Sequence, residues 1–130
     1  LVADMERTQA LIRSVTGRAS TAPYRAPVGL KSPRVARAAH ALSLDFIAWS
    51  VHSRDTIDAD PERIAARVLR RVRPGDIVLL HDGHQRSGAR RTSGADALPL
   101  ILRGLRERGL APVTVETLLR PHRENPERHR

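Results

Sequence analysis

The sequence predicts an α/β fold in which parallel strands alternate with helices, and three observations support this class. Strand-like apolar segments and stretches with apolar residues at helical spacing alternate four times along the chain. The segments 44–51 and 76–80 are largely apolar throughout, as expected for strands covered on both faces. Two helices begin with a capping residue followed by proline, at residues 32–33 and 60–61.

The first half of the chain is predicted to contain two helices around a short extended segment. Residues 1–16 place apolar side chains at helical spacing, and Gly17 is suited to end that helix because glycine adopts the left-handed conformation without strain. Residues 22–25 are expected to be extended, and a turn containing proline and glycine follows them. The second helix is expected from Pro33 to about Leu42.

The second half is predicted to continue the alternation. The expected elements, in order, are a strand at 44–51, a helix at 61–73, a strand at 76–80, a loop at 83–93, a helix from Asp96 to Gly109, a strand at 112–115 and a short helix at 116–119. Pro99 is expected in the first turn of its helix, where proline is tolerated. Residues 120–130 are basic and interrupted by proline, and we predict a disordered tail there.

Composition excludes several classes of protein. The 130 residues include no cysteine, which excludes a disulfide scaffold, a cysteine-ligated zinc site and a thiol nucleophile. The longest apolar runs are far shorter than the roughly 20 residues that span a bilayer, so no transmembrane segment is expected. The first residues lack the basic start and the continuous apolar stretch of a signal peptide. The compartment therefore stays open.

A formal net charge of +9 first points to an anionic partner such as nucleic acid. The basic residues are spread along the chain, and Arg63, Arg67, Arg70 and Arg71 are expected on the solvent side of one helix. Only 2% of the residues are aromatic, which leaves little surface for base stacking. We therefore expect no nucleic-acid partner; a titration at two salt concentrations tests that alternative.

Three polar clusters follow the predicted strands, at the carboxyl ends where α/β folds collect their chemistry. Arg25 supplies a cation, the segment 49–56 supplies the carboxylate of Asp55, and the segment 81–84 supplies the imidazole of His81. A carboxylate beside an imidazole stabilises the imidazolium, which can then protonate a leaving group. No carboxylate suited to act as the base is evident in these clusters.

The same clusters resemble the later motifs of the polysaccharide deacetylases, the NodB-homology domains of carbohydrate esterase family 4. The resemblance rests on the order and spacing of Arg25-Ala26-Pro27-Val28-Gly29, Trp49 through Asp55, and Leu79-Leu80-His81-Asp82. The closing pattern from Ala97-Leu98-Pro99 to Leu118-Leu119 is also similar to the last helix and strand of that family. The resemblance covers residues 1–119, which we interpret as the C-terminal part of such a domain.

This resemblance implies a distorted (β/α) barrel that hydrolyses N-acetyl or O-acetyl groups on a polysaccharide or oligosaccharide with a divalent metal, zinc or similar. His81 would be the catalytic acid, Asp55 the carboxylate that tunes it, and Arg25 the arginine that pairs with the base. Trp49 and Leu79 would line the pocket for the acetyl methyl group. Members of the family are exported or cytoplasmic, so the resemblance leaves the compartment open.

Several features depart from the family pattern. Ala26 and Val28 stand where the family usually has a proline and an aromatic residue, and Thr56 stands where tryptophan is usual. Two motifs of the family are absent from these residues. They hold the base, which is an aspartate, and the metal ligands, which are an aspartate and two histidines. We therefore expect that the metal ligands are not present in this chain and that the chain alone is inactive.

Two alternatives to a metal-dependent deacetylase remain beside the nucleic-acid binder. The chain could be a noncatalytic remnant of the domain that acts as a binding or interaction module, which the missing motifs would favour. It could also bind a metal by itself, because His81 and His84 are three residues apart and Asp82 and His52 are further candidates.

Overall fold

The computed structural model describes residues 1–18, 23–30, 32–82 and 92–124. The chain divides into two compact units, residues 1–48 and residues 49–130. Within the described residues, each unit contains one pair of short parallel strands.

In the part of the first unit that the structure describes, there are two helices and one strand pair. In chain order, its elements are helix α1 (Val2–Thr16), strand β1 (Pro23–Tyr24), a 3₁₀ turn (Pro27–Gly29), helix α2 (Pro33–Ala41) and strand β2 (Asp45–Phe46). Strand β1 pairs with strand β2 in parallel, with Tyr24 opposite Phe46. The core of this unit consists of Met5, Ala26, Val35 and Ala38, against which Tyr24, Leu42 and Phe46 pack.

Both helices of the first unit begin and end close to the predicted residues. Gly17 has a φ of 65° and donates its backbone N–H to the carbonyl of Arg13, so the predicted glycine stop of α1 is confirmed. The hydroxyl of Ser32 accepts the backbone N–H of Val35 at 3.2 Å, and Pro33 occupies the first helical position. The predicted cap of α2 is therefore also confirmed.

The described residues of the second unit form the other strand pair and three helices. Its elements are strand β3 (Val51–His52), helix α3 (Pro61–Arg71), strand β4 (Val78–Leu79), helix α4 (Ser93–Glu107) and helix α5 (Val115–Glu124). Asp60 caps α3 as predicted, because its carboxylate accepts the backbone N–H groups of Glu62 and Arg63. The buried core consists of Val51, Ile64, Ala65, Val68, Ala97, Ile101 and Leu105.

Helices α3 and α4 pack closely against each other, and Gly104 makes this possible. A Cβ atom at Gly104 would lie 2.4 Å from Cδ1 of Leu69, well inside van der Waals contact. Ile64 and Val68 of α3 are fully buried. Apolar burial by these two helices supplies the main packing beneath the strand pair of this unit.

The prediction of one continuous strand over 44–51 was wrong, because the segment contains both β2 and β3. The backbone changes its pairing partner between them. The N–H of Ile47 donates to the carbonyl of Tyr24 at 2.7 Å, whereas the N–H of Val51 donates to the carbonyl of Ile77 at 3.1 Å. An apolar run indicates burial, but it does not indicate which neighbours a strand pairs with.

The predicted start of α4 at Asp96 was also wrong, because the helix begins at Ser93. Pro99 therefore lies inside the helix rather than in its first turn. The start is set by tertiary contacts, since the buried hydroxyl of Ser93 donates to the backbone carbonyl of Asp55 at 3.2 Å. Most of the predicted loop over 83–93 lies outside the described residues.

Residues 112–115 do not form the predicted strand. Thr114 instead caps α5, because its hydroxyl accepts the backbone N–H of Thr117 at 3.2 Å and its carbonyl accepts the N–H of Leu118 at 3.0 Å. Val115 is consequently the first residue of the helix. A local capping hydrogen bond has overridden the strand preference of the β-branched residues here.

Helix α5 continues beyond the predicted short helix at 116–119 and reaches Glu124. Residues 120–124 of the predicted tail fall within this helix, and the disorder of the tail at 120–130 stays a prediction. Pro121 lies within the helix. It lacks a backbone N–H group and therefore cannot donate one of the helical hydrogen bonds. Residues 125–130 lie outside the described residues.

The predicted α/β class with parallel strands is confirmed for the described residues. Strand β3 pairs with β4 in parallel, with Val51 opposite Val78 and His52 opposite Leu79. These residues contain two separate strand pairs, so the barrel implied by the resemblance stays a prediction. No described helix combines the length and apolar character that crossing a membrane requires.

Candidate active site

Asp55 lies in a tight turn after β3 that places its carboxylate inside the second unit. Only 3% of the residue is exposed, and the neighbouring Ser53 is fully buried. The hydroxyl of Ser53 donates to Oδ1 of Asp55 at 2.8 Å, and the backbone N–H of Asp55 donates to the same hydroxyl at 3.3 Å. Arg54 between them has a φ of 62° and an exposed side chain. This conformation of Arg54 lets its buried polar neighbours, Ser53 and Asp55, both face the interior while Arg54 stays exposed.

His81 lies beside Asp55 because the two strands that precede them are paired. The parallel register places His52 opposite Leu79, so the residues that follow β3 and β4 emerge at the same edge. The Nδ1 atom of His81 lies 2.8 Å from Oδ1 of Asp55. The backbone N–H of His81 donates to Oδ2 of Asp55 at 2.6 Å. One carboxylate therefore holds both the ring and the backbone of His81.

The surroundings of Asp55 keep it ionised. Burial tends to raise the pKa of Asp55, but the hydrogen bonds from the His81 ring, the His81 backbone and the Ser53 hydroxyl outweigh it and lower the pKa below its ordinary value. An ionised carboxylate only accepts hydrogen bonds, so Nδ1 of His81 carries the proton between them. The His81 side chain is 38% exposed, which leaves Nε2 available for proton transfer.

The first turn of α4 closes against the same carboxylate. The hydroxyl of Ser93 donates to the backbone carbonyls of Asp55 at 3.2 Å and Asp58 at 3.3 Å. Gly94 is buried, and a Cβ atom there would lie 2.3 Å from Oδ2 of Asp55 and 2.4 Å from the carbonyl oxygen of His81. Only a residue without a side chain fits this position without moving the pair.

A second network supports the turn from the side of α3. Arg67 donates to the backbone carbonyl of Ser53 at 2.8 Å and to Oδ2 of Asp58 at 2.8 Å, while Arg63 donates to Oδ1 of Asp58 at 3.0 Å. The prediction that Arg67 lies on the solvent side was wrong, since its side chain is only 22% exposed. This arginine is an internal support of the turn.

The charges around Asp58 strongly favour its ionised form. The hydrogen bond from Arg67 is the largest cause, followed by the backbone N–H of Asp60; the hydrogen bond and charge of Arg63 add to them. Together they lower the pKa of Asp58 from an ordinary value of 3.8 to about 2.

Arg25 belongs to the first unit, where it follows β1. Its Nε donates to the carbonyl of Ile47 at 3.3 Å, and its Nη2 donates to the carbonyl of Ala48 at 3.2 Å. These bonds tie the guanidinium group to the backbone just beyond β2. The pairing of Arg25 with a base carboxylate stays a prediction.

Trp49 and Leu79 belong to the second unit together with the Asp55–His81 pair. Trp49 is half-buried, and its ring meets the His52 ring edge to face, with centroids 5.9 Å apart and an angle of 82° between the planes. Leu79 is buried within β4. Their predicted contact with an acetyl methyl group stays a prediction.

The described residues do not form a metal site. They contain no group of three His, Asp or Glu side chains that could hold a metal ion. Nδ1 of His52 accepts the backbone N–H of Arg54 at 2.9 Å, and His84 lies outside the described residues. The alternative of a site built from His52, His81, Asp82 and His84 therefore has no geometric support in the part of the chain that the structure describes.

Sequence reasoning missed the residues that position the pair, namely Ser93, Gly94, Asp58 and Arg67. Their roles depend on contacts between residues far apart in the chain, such as Ser93 with Asp55. One local signal was present, because a Ser-Gly pair directly before an apolar helical repeat is compatible with an early helix start.

An ionised, buried carboxylate that orients a half-exposed imidazole defines a candidate general-acid site of the kind found in hydrolases. Comparison with known proteins identifies the family. The chain is 35% identical over 94 residues to a chitooligosaccharide deacetylase from Bradyrhizobium, covering 72% of this chain and 43% of that protein. It is 36% identical over 99 residues to a peptidoglycan-N-acetylglucosamine deacetylase from Bacillus cereus, covering 75% and 45%.

Solved structures agree with these relatives. The peptidoglycan deacetylase PdaC from Bacillus subtilis superposes with a TM-score of 0.76 at 25% identity, over 97% of this chain and 58% of that one. A family 4 carbohydrate esterase from Streptomyces lividans shares the fold with a TM-score of 0.73 at 23% identity, over 88% and 55%. No protein-family model matches the chain.

The chain belongs to the polysaccharide deacetylases of carbohydrate esterase family 4 and represents a partial NodB-type domain. It spans less than half the length of the two curated relatives, at 43% and 45%.

Replacing Gly94 by alanine should displace the Asp55 carboxylate or the start of α4. Because the new Cβ atom would overlap both Asp55 and the His81 carbonyl, we expect a loss of about 1–3 kcal/mol in the free energy of unfolding. Denaturant unfolding measures it, and Ala95→Gly at the exposed next position is the matched control. A Gly94→Ala variant as stable as the wild type would contradict this account of the close contact.

Asp58 should contribute stability that acid removes. Because its folded pKa is depressed to about 2 from 3.8, its contribution is complete above the ordinary pKa and is lost as the pH falls from about 4 to about 2. Asp58→Asn should therefore be less stable at neutral pH and show a smaller loss over that interval, measured by urea unfolding. Asp82→Asn is the control, because Asp82 is exposed. If the free energy of unfolding fell equally with pH in the wild type and in Asp58→Asn, the role of the network would be contradicted.

Proposed function

We propose that this chain carries the general-acid part of a deacetylase that removes N-acetyl or O-acetyl groups from a polysaccharide or oligosaccharide. The observation that supports it most is the Asp55–His81 pair, with its 2.8 Å contact, in a chain similar to deacetylases. The proposed ligand is an acetylated glycan, because the relatives are named for acetylated chitooligosaccharide and peptidoglycan substrates.

His81 is the proposed proton donor. In amide hydrolysis, water adds to the carbonyl carbon of the acetyl group and the C–N bond breaks. Acetate forms, and the nitrogen of the departing amine takes up a proton. With Nδ1 bound to Asp55, Nε2 of a protonated His81 is the atom that gives this proton. Asp55 acts as the positioning carboxylate, since its hydrogen bond fixes the orientation of the His81 ring.

The other residues have supporting roles in this proposal. Arg25 would keep the base carboxylate of the complete domain ionised, as arginine does when it pairs with a carboxylate. Trp49 and Leu79 would offer apolar surface to the acetyl methyl group. At the positions of Ala26, Val28 and Thr56, members of the family usually carry larger residues. We therefore expect the pocket of this protein to differ in shape from theirs.

Family 4 deacetylases are generally metal-dependent. The described residues of this chain do not fit a metal ion, so no step of the proposal passes through one here. We propose that residues 1–119 correspond to the C-terminal part of a barrel domain. The base and the metal ligands, an aspartate and two histidines, would then come from the remainder of that domain.

A noncatalytic deacetylase-like module is the second candidate. The observation that favours it is the lack of a metal-holding cluster among the described residues. Under this hypothesis the fold would keep a surface for glycans or proteins without hydrolysis. The Asp55–His81 pair argues against it, because a binding module has no need for an imidazole oriented by a buried carboxylate.

A chimera separates the two candidates. In it, this chain replaces the matching segment of the Bacillus cereus deacetylase, so that the relative supplies the rest of the domain. We expect the chimera to release acetate from an acetylated chitooligosaccharide and to lose this activity with a chelator, while the chain alone releases none. His81→Ala should lower kcat by about 10²- to 10⁴-fold, and Asp55→Asn should lower kcat and displace its pH profile.

His40→Gln is the matched control, because His40 is exposed on α2. A folded chimera without activity would support the noncatalytic module. An active chimera whose rate is unchanged by His81→Ala would refute the assignment of the acid. Chelator-sensitive hydrolysis by the chain alone would show that it does not depend on the rest of the domain for its metal.

A further inference from the structure

A groove with three arginines adjoins the turn that holds Asp55. Its volume is about 520 Å³, and its walls are formed by Arg54, Ile57, Asp58, Ala59, Arg63 and Arg67, all of which belong to the second unit. The proposed acid mechanism uses none of its arginines. Its position is notable because Arg54 directly precedes Asp55 in the chain.

The groove holds more positive charge than its carboxylates neutralise. Asp58 is bound on one oxygen by Arg63 and on the other by Arg67, and Asp60 contacts Arg63 at 3.3 Å. Within the described part of the chain, the guanidinium group of Arg54 has no hydrogen-bond or ion-pair partner. The groove is lined by three arginines and one aspartate, Asp58. When Asp60, which contacts Arg63 from outside the groove, is counted as well, a net charge of +1 remains, and Arg54 is its source.

The backbone holds Arg54 in a fixed place. Its φ of 62° is a left-handed conformation that arginine rarely adopts, and its N–H donates to Nδ1 of His52 at 2.9 Å. Ser53 and Asp55 on either side are buried and hydrogen-bonded to each other. The side chain of Arg54 therefore projects outward from an anchored turn, next to the candidate acid pair.

We infer that the acetylated glycan of this protein carries oxyanion groups, carboxylate or phosphate, and that Arg54 binds them in this groove. A guanidinium group matches both anions through paired N–H donors. The groove adjoins the turn of Asp55, because Arg54 directly precedes Asp55 and lines the groove. The inference rests on the proposed function and specifies its substrate class.

Binding to the complete chain of 130 residues tests it. The probes are a hyaluronan hexasaccharide, which alternates N-acetylglucosamine with a carboxylate sugar, and the same hexasaccharide with its carboxylates reduced to alcohols. We expect the acidic form to bind about three- to fivefold more tightly in low salt, the range of an exposed ion pair, and salt to reduce this preference. Competition by N-acetylglucosamine 6-phosphate or by N-acetylmuramate distinguishes phosphate from carboxylate recognition.

Arg54→Gln should abolish the preference, whereas Arg70→Gln should retain it, because Arg70 is exposed on α3 and does not line the groove. Equal binding of the acidic and reduced forms by the wild type, or binding of neither, would overturn the inference. Equal effects of the two substitutions would overturn it as well, since they would indicate net charge alone. The proposed function is decided separately by acetate release from the chimera.

Discussion

The structure around the candidate site depends on the burial of one carboxylate. Removing the Asp55 side chain from water is costly unless donors replace the lost hydration. The protein supplies three of them, from the His81 ring, the His81 backbone and the Ser53 hydroxyl. These bonds outweigh burial and keep the carboxylate charged. The same bonds orient an imidazole, so what stabilises the buried charge also prepares the site for proton transfer.

Neighbouring elements are arranged to keep those donors in place. The parallel register of β3 and β4 brings the two segments to one edge, and α4 begins early so that Ser93 can bind the Asp55 carbonyl. Gly94 admits the carboxylate where any side chain would collide with it. On the other side Arg67 ties the turn to Asp58. The early start of α4, the glycine at position 94 and the internal position of Arg67 thus all serve to keep the buried charge of Asp55 hydrogen-bonded.

Local sequence signals predicted much of the fold but little of this support. The caps at Ser32 and Asp60 and the stop at Gly17 are encoded within a few residues, and the structure confirms them. The clusters also indicated that a carboxylate and an imidazole would follow neighbouring strands. The change of partner within 44–51 and the early start of α4 depend on residues distant in sequence, so periodicity could not reveal them. The helical periodicity placed Arg67 on the solvent-facing side of α3, but its side chain is largely buried because it binds Asp58.

The protonation state of the His81 ring is the most direct measurement of the central claim. Nitrogen-15 NMR of the imidazole distinguishes the two neutral tautomers at alkaline pH. The pair predicts the proton on Nδ1, bound to Asp55, with Nε2 unprotonated, and it predicts that Asp55→Asn disturbs this preference. A ring with its proton mainly on Nε2 in the folded wild type would contradict the account, because the carboxylate would then not be orienting His81 as a proton donor.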